Sequence, residues 1–216
     1  MLCRYFTTTG IKVEQAFEDA DTLIVNTAIK EASSHDSVEI VGEDIDLLVL
    51  LAGLAPDKNN IFFRKPAKGN TPENLYSPHS FKHKSVLEHI LFIHAFSGCD
   101  TTSSFYNIGK SKFINTLIIL TQSSVELFKQ EKVDPEVLTC AGEQFLIALY
   151  GGDKHEKSIN ILRFHRFAKS MTANKVNHLS LLPPTKSAVR QHIFRTYLQV
   201  QTWLGFFKDP QGWGWR

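Results

Sequence analysis

Three short acidic clusters stand out in this 216-residue chain: Glu18-Asp19-Ala20-Asp21, Glu43-Asp44-Ile45-Asp46, and Ser97-Gly98-Cys99-Asp100. Carboxylates that converge repel one another unless a cation neutralises them, and ligand sets made only of oxygen select hard ions such as Mg²⁺ or Mn²⁺. Two such ions about 4 Å apart can hold a phosphodiester, activate water and stabilise the leaving oxygen. Each cluster also has a plain structural reading. Asp44 and Asp46 suit a helix start, where the dipole favours acids. Asp19 and Asp21 suit a solvated helix face, and Asp100 before two threonines suits a cap.

Other chemistry-bearing groups are weaker. Gly109-Lys110-Ser111 lacks the upstream glycine of a phosphate-binding P-loop, since Ser104 stands at that position. Cys99 and His94 have no orienting third group, so Cys99 reads as a packed thiol beside Asp100. The histidines and cysteines show no zinc spacing, and no zinc is expected. Basic residues with aromatic neighbours form two further candidates. Arg163, Arg166 and Lys169 lie among Phe164 and Phe167, and Lys186, Arg190 and Arg195 lie on the last helix. Such patches contact phosphates with an affinity that falls as salt rises; the alternative is a solvated helix face. Trp203, Phe206, Phe207, Trp213 and Trp215 either stack bases or pack the tail onto the core.

The charge balance points the same way. The net charge is +2, yet residues 1–57 hold three Lys or Arg against eleven Asp or Glu. An acidic segment suits a cation, and the basic remainder suits a polyanionic partner; the alternative is a set of solvated helix faces that happen to be unevenly charged.

These residues need elements to position them. Phe17, Ala20, Ile24 and Ala28 recur at helical spacing and predict a helix from Glu14 to about Ala32. Val38–Val41 predicts a strand that stops at Gly42-Glu43-Asp44. Leu47–Leu54 is apolar all round and predicts a buried helix, with a strand as the alternative. Ile61-Phe62-Phe63 predicts a second strand, and residues 65–80, rich in Pro, Gly, Asn and Ser, predict a loop. Ser85 and Glu88 have capping-box spacing, with Leu87, Ile90, Leu91 and His94 on one face. Asp134-Pro135 starts a helix with the stripe Leu138, Ala141, Phe145 and Leu149, which Gly151-Gly152 ends. Pro183-Pro184 starts a last helix with Val189, Ile193, Tyr197, Val200 and Leu204 inward. Strand and helix alternate first and helices dominate later, so the fold class expected is α/β, a small parallel sheet with flanking helices followed by a mostly helical C-terminal extension. The strand ends of such a sheet share one edge, where the acids would meet.

With 43% hydrophobic and 21% charged residues the composition is that of a globular protein. The longest apolar stretch is far short of the about 20 residues that span a bilayer, and no membrane partner is expected. No basic region followed by an apolar one opens the chain, and its three cysteines are scattered. An intracellular protein, nuclear or cytoplasmic and not secreted, is the expectation; the sequence is silent on oligomeric state.

Val41-Gly42-Glu43-Asp44-Ile45-Asp46 followed by Gly98-Cys99-Asp100 resembles the internal nuclease region of the flap endonuclease (XPG) group within the PIN-like superfamily. Asn107-Ile108-Gly109-Lys110 is similar to the stretch that opens that group's helix-hairpin-helix. The resemblance implies a partial PIN-like domain over 1–115, with a helical extension over 116–216. It implies Asp19, Asp21, Asp44, Asp46 and Asp100 as ligands of Mg²⁺ or Mn²⁺, Asp44, Asp46 and Asp100 as catalytic acids, and Glu18 and Glu43 as accessory acids. Nucleic acid, DNA or RNA, is the implied partner, with Gly109, Lys110, Arg163, Arg166, Lys186, Arg190 and Arg195 as its candidate contacts. The string from Phe96 to Ser103 is also similar to transposon-associated invertebrate proteins with a PIN-like domain. The superfamily places one further aspartate on a strand before the first helix, whereas residues 1–12 here hold neither Asp nor Glu. Two readings follow: a metal-dependent nuclease, or an inactive, transposon-derived scaffold that binds nucleic acid or protein.

Overall fold

A computed structural model of the protein describes residues 2–17, 19–55, 59–81, 84–120, 123–153, 155–172 and 178–215. The chain divides into two compact units, Met1–Ser80 and Phe81–Arg216. The division falls in the stretch after the acidic clusters at 19–21 and 43–46, and residue 115 lies inside a helix of the second unit.

In the first unit α1 (Leu2–Thr8) is a short helix with no buried side chain and has no counterpart among the predicted elements. Helix α2 spans Ala20–Glu31, six residues shorter at its start than the periodicity predicts. Asp19 ends it because its carboxylate accepts the Asp21 N–H, and a side chain that caps a helix must itself stand outside it. Phe17, assigned to the inward stripe, is instead fully exposed, while Val25, Ala28 and Ala32 are buried.

Strand β1 (Val38–Val41) leads through Gly42 into α3 (Ile45–Leu54), which returns the chain to β2 (Ile61–Lys65) parallel to β1. The turn is tight: a Cβ on Gly42 would lie 2.9 Å from Leu47 Cδ1. Ile40, Ile61 and Phe63 from the sheet, with Leu47, Leu50 and Leu51 from α3, form the buried face. The architecture is α/β as expected, but the sheet is mixed rather than parallel. Strand β3 (Asn74–Tyr76) pairs antiparallel with β2, inside the stretch predicted to be loop. Its pairing depends on hydrogen bonds to a strand ten residues upstream, which local composition does not encode. Arg64 strengthens this pairing on the outer face by reaching Glu39 of β1 (2.7 and 2.9 Å) and Glu73 (2.6 Å).

The second unit is helical: α4 (Lys84–Leu87), α5 (Ile90–Ser97), α6 (Lys110–Ile119), α7 (Ser123–Glu126), α8 (Pro135–Leu149), α9 (Ile159–Thr172) and α10 (Lys186–Trp203). The helix expected from Ser85 is broken between α4 and α5, and the side chain of Ser85, half of the predicted capping box, lies outside the described residues. Asp134 caps α8 by accepting the Glu136 and Val137 N–H groups, with Pro135 at the first helical position, as predicted. Helix α10 carries the core: Val189, Ile193, Tyr197 and Val200 are buried, and Leu204 is its C-cap rather than an inward residue. Phe92, Phe96, Phe113, Phe128 and Phe145 pack ring against ring, with centroids 4.7 Å apart for Phe92–Phe128 and 5.3 Å for Phe96–Phe145. Aromatic pairs of this geometry contribute roughly 0.5–1.5 kcal/mol beyond area burial. Tyr197 donates to Gln130 O (2.8 Å) and Gln201 to Phe128 O (2.9 Å), fixing the α7–α8 connection onto α10. Among the described residues no helix is long and apolar enough to cross a membrane.

Candidate carboxylate edge and basic face

The first two acidic pairs are built alike. In each, the first aspartate is the N-cap of a helix and the second lies in its first turn: Asp19 and Asp21 on α2, Asp44 and Asp46 on α3. Asp19 Oδ1 accepts the Asp21 N–H at 3.1 Å and Asp44 Oδ1 accepts the Asp46 N–H at 3.0 Å. The first acid accepts the backbone N–H two residues on, which any residue there would supply, and the second lies in the first turn, where the helix dipole favours a carboxylate.

Asn60, just before β2, donates its amide to Ala32 O and His35 O at 2.9 Å, which ties the C-terminal end of α2 to the start of β2. Asp19 stands at the opposite end of α2, and Asp44 stands where β1 leads into α3. In kind, four carboxylates suit a hard divalent ion. In arrangement they do not: among the described residues of either unit no three His, Cys, Asp or Glu side chains gather to hold one. Both Asp19 oxygens are engaged, Oδ2 by the Thr22 hydroxyl at 2.5 Å. Glu43 is held by Lys68 at 2.5 Å, and that hydrogen bond keeps its pKa below the usual carboxylate range. Glu18 lies outside the described residues.

Asp100 belongs to the second unit, at the tip of a two-residue turn closed by reciprocal Cys99–Thr102 backbone hydrogen bonds of 3.2 Å. The motif around it closes the C-terminal end of α5. Thr102 donates its hydroxyl to Ala95 O at 2.5 Å, and Thr101 donates to Gln199 of α10 at 2.6 Å. Gly98 has φ +112°, and a Cβ there would lie 2.8 Å from the Ser104 backbone. Asp100 itself is exposed.

Most predicted phosphate contacts have structural duties. Gly109 is the exposed N-cap of α6. Lys110 turns its ammonium onto the end of α5, donating to His94 Nδ1 (3.0 Å), Gly98 O (3.1 Å) and Ser97 Oγ (3.3 Å). Arg190 forms a two-bond fork with Glu136 of α8, and Lys186 lies 3.9 Å from the mostly buried Glu143. Arg163 donates to Pro183 O, Arg166 to Tyr150 O, and Arg195 to Gly214 O at 3.1 Å while lying over Trp215. A carbonyl partner orients a guanidinium without compensating its charge, whereas the Glu136 carboxylate compensates that of Arg190.

The C-terminal aromatics divide similarly. Trp203 is buried and stacks on His94, and Trp213 packs on Tyr197 with centroids 4.5 Å apart. Phe207 is exposed.

Periodicity of the sequence alone did not single out the outward face of α9. Ile161, Phe164, Phe167 and Met171 are all exposed there, opposite the buried Ile159 and Leu162. This doubly apolar pattern was legible in principle, but only the burial of Ile159 and Leu162 distinguishes the inner stripe from the outer one. No family model, curated protein or solved structure matches the chain.

Proposed function

We propose that this chain is a binding scaffold of PIN-like, flap-endonuclease-type descent that holds nucleic acid through α9 rather than cleaving it. The observation that carries the reading is the composition and exposure of that helix. Ile159–Thr172 contains Arg163, Arg166 and Lys169 and no acid; Phe164 (66% exposed) and Phe167 (38% exposed) stand on successive turns, with Phe167 one turn beyond Arg163 on the same side. Cations that track a backbone next to exposed rings that stack bases are the two components of single-strand binding. The caps formed by Asp19 and Asp44 give those acids a role in folding that needs no ion.

The test is fluorescence anisotropy with a labelled oligo-dT and an oligo-U strand. With three phosphate contacts the affinity should fall roughly 20-fold between 50 and 200 mM salt, from a slope of about −0.7 per contact on single strands. Phe164→Ala should weaken binding about tenfold, within the range for loss of one stacking platform. Binding that ignores both salt and Phe164 would contradict the reading.

A second reading has one specific observation in its favour. Each acid-x-acid pair opens a helix of the first unit, in the order that the resemblance assigns to ligands of Mg²⁺ or Mn²⁺. On that reading Asp44 and Asp46 are catalytic acids of phosphodiester hydrolysis, and a divalent ion would supply charge neutralisation and an activated water. A transposon-derived origin fits either reading.

A further inference from the structure

We propose that the open edge of β1 is a docking site for an extended, basic polypeptide segment, which adds a strand to the sheet and seats its side chains in the groove beside it. This goes beyond the nucleic-acid reading and does not depend on it. The strand order is β1-β2-β3, so among the described residues β1 is paired on one side only. The Val38 N–H donates to Asn60 O (2.8 Å) and the Gly42 N–H to Arg64 O (3.1 Å). In a parallel ladder the even-numbered residues of β1 therefore face β2, and Glu39 and Val41 turn their backbone N–H and C=O groups to the open edge.

Native sheets blunt such edges with lysine, proline, a bulge or a covering element. β1 reads Val-Glu-Ile-Val, keeps regular register with β2 over all four residues, and leaves Val41 62% exposed. Along it runs a groove of about 570 Å³ whose apolar lining includes Ile24 and Ala28 of α2 and Val38 and Ile40 of β1. An open ladder beside an apolar groove matches strand addition, in which backbone hydrogen bonds supply affinity and alternate side chains supply specificity.

The charge of the groove selects the occupant. Its charged lining is Glu14, Glu31 and Glu39 against Lys12; that one lysine is shared by Glu14 and Glu31 at 3.1 Å, while Arg64 holds Glu39, so the groove keeps an excess of negative charge. A second copy of β1 would set Glu39 near its own counterpart, and like charges opposite each other destabilise a strand pair. A segment alternating apolar residues with lysine or arginine satisfies the ladder and compensates the carboxylate charge that Lys12, shared between Glu14 and Glu31, leaves over.

The test uses the full chain and a fluorescein-labelled octapeptide of alternating Val and Lys, followed by anisotropy. Saturable binding is expected, and it should weaken at least about tenfold in Val41→Pro, which deletes an open-edge N–H that strand addition needs and β2 does not use. Glu14→Lys, on the far wall of the groove, should weaken it about threefold or more without touching the sheet, and serves if Val41→Pro fails to fold. No saturable binding overturns the proposal, as does equal binding of an alternating Val-Glu peptide. Self-association that Val41→Pro abolishes would assign the edge to a second copy and overturn it too.

Discussion

Arg190 of α10 and Glu136 of α8 face each other through two hydrogen bonds, Nη1–Oε2 at 3.0 Å and Nη2–Oε1 at 2.7 Å. The guanidinium also lies 4.9 Å over the Phe194 ring. Glu136 holds the Arg190 pKa above its usual value, and the arginine in turn keeps the Glu136 carboxyl below its own, so this cation is committed internally. Its removal should therefore leave nucleic-acid affinity within about twofold, whereas Lys169→Glu, at an exposed position of α9, should weaken it about tenfold or more. Anisotropy titrations of Arg190→Ala and Lys169→Glu at one salt concentration separate the two cations.

His192 predicts a pH dependence of stability. Its Nε2–H donates to Phe96 O at 2.9 Å, and the ring packs among Phe96 and Phe105. Burial pushes its pKa down to about 4, from an ordinary value of 6.5. The unfolded chain then binds more protons than the folded one between those values, so stability rises with pH across that window and is lost as pH falls through it. Unfolding free energy should be roughly 2 kcal/mol lower at pH 5 than at pH 7 from this group alone. Urea titrations at both pH values should show the slope in the native chain and a smaller one in His192→Asn.

Gly98 and Asp100 share a motif yet should respond oppositely. Gly98→Ala places a Cβ 2.8 Å from the Ser104 backbone at a φ of +112°, and it should cost about 2 kcal/mol or more. Asp100→Ala changes an exposed turn tip and should leave stability within about 0.5 kcal/mol. Thermal melting of both variants decides this. A large loss for Asp100→Ala would mean that the aspartate, not the glycine, holds the turn.

The cap at Asp44 distinguishes folding from ion binding. Asparagine caps as well as aspartate, so Asp44→Asn should keep the native melting temperature, while Asp44→Ala should lose about 1 kcal/mol. On the scaffold reading, millimolar Mn²⁺ leaves the melting temperature of the native chain and of Asp44→Asn alike. A Mn²⁺-dependent rise in the native chain that Asp44→Asn abolishes would favour the second reading.

The elements that announced themselves in the sequence carry their own stop signals. Asp134-Pro135 and Gly151-Gly152 bracket α8 closely, and Gly42-Glu43-Asp44 marks the turn from β1 into α3. Where two local signals compete, periodicity misleads: Phe17 extends the apolar repeat of α2 backwards, but Asp19 caps the helix and leaves Phe17 in solvent. β3 was illegible because three residues in a Pro- and Gly-rich stretch become a strand only by pairing with β2. The spacing of Asp44 and Asp46 admits both ligand chemistry and a helix start, and Asp44 does cap α3; Asp19 and Asp21, expected on a solvated face inside a helix, begin one instead, which is visible only once the helix boundary is fixed. The basic residues on α10 show the same limit from the other side. Glu136 lies 54 residues before Arg190, and nothing local identifies the pair.

Binding without cleavage is the central claim, and one measurement tests it most directly. The full chain is incubated with labelled single-stranded and branched DNA and with RNA in millimolar Mn²⁺, and complex formation and strand scission are followed together. The account predicts a salt-sensitive complex, weakened about tenfold by Phe164→Ala and unchanged by Asp100→Ala, with the strands intact. Mn²⁺-dependent scission that Asp100→Ala abolishes would contradict it and establish the chain as a nuclease.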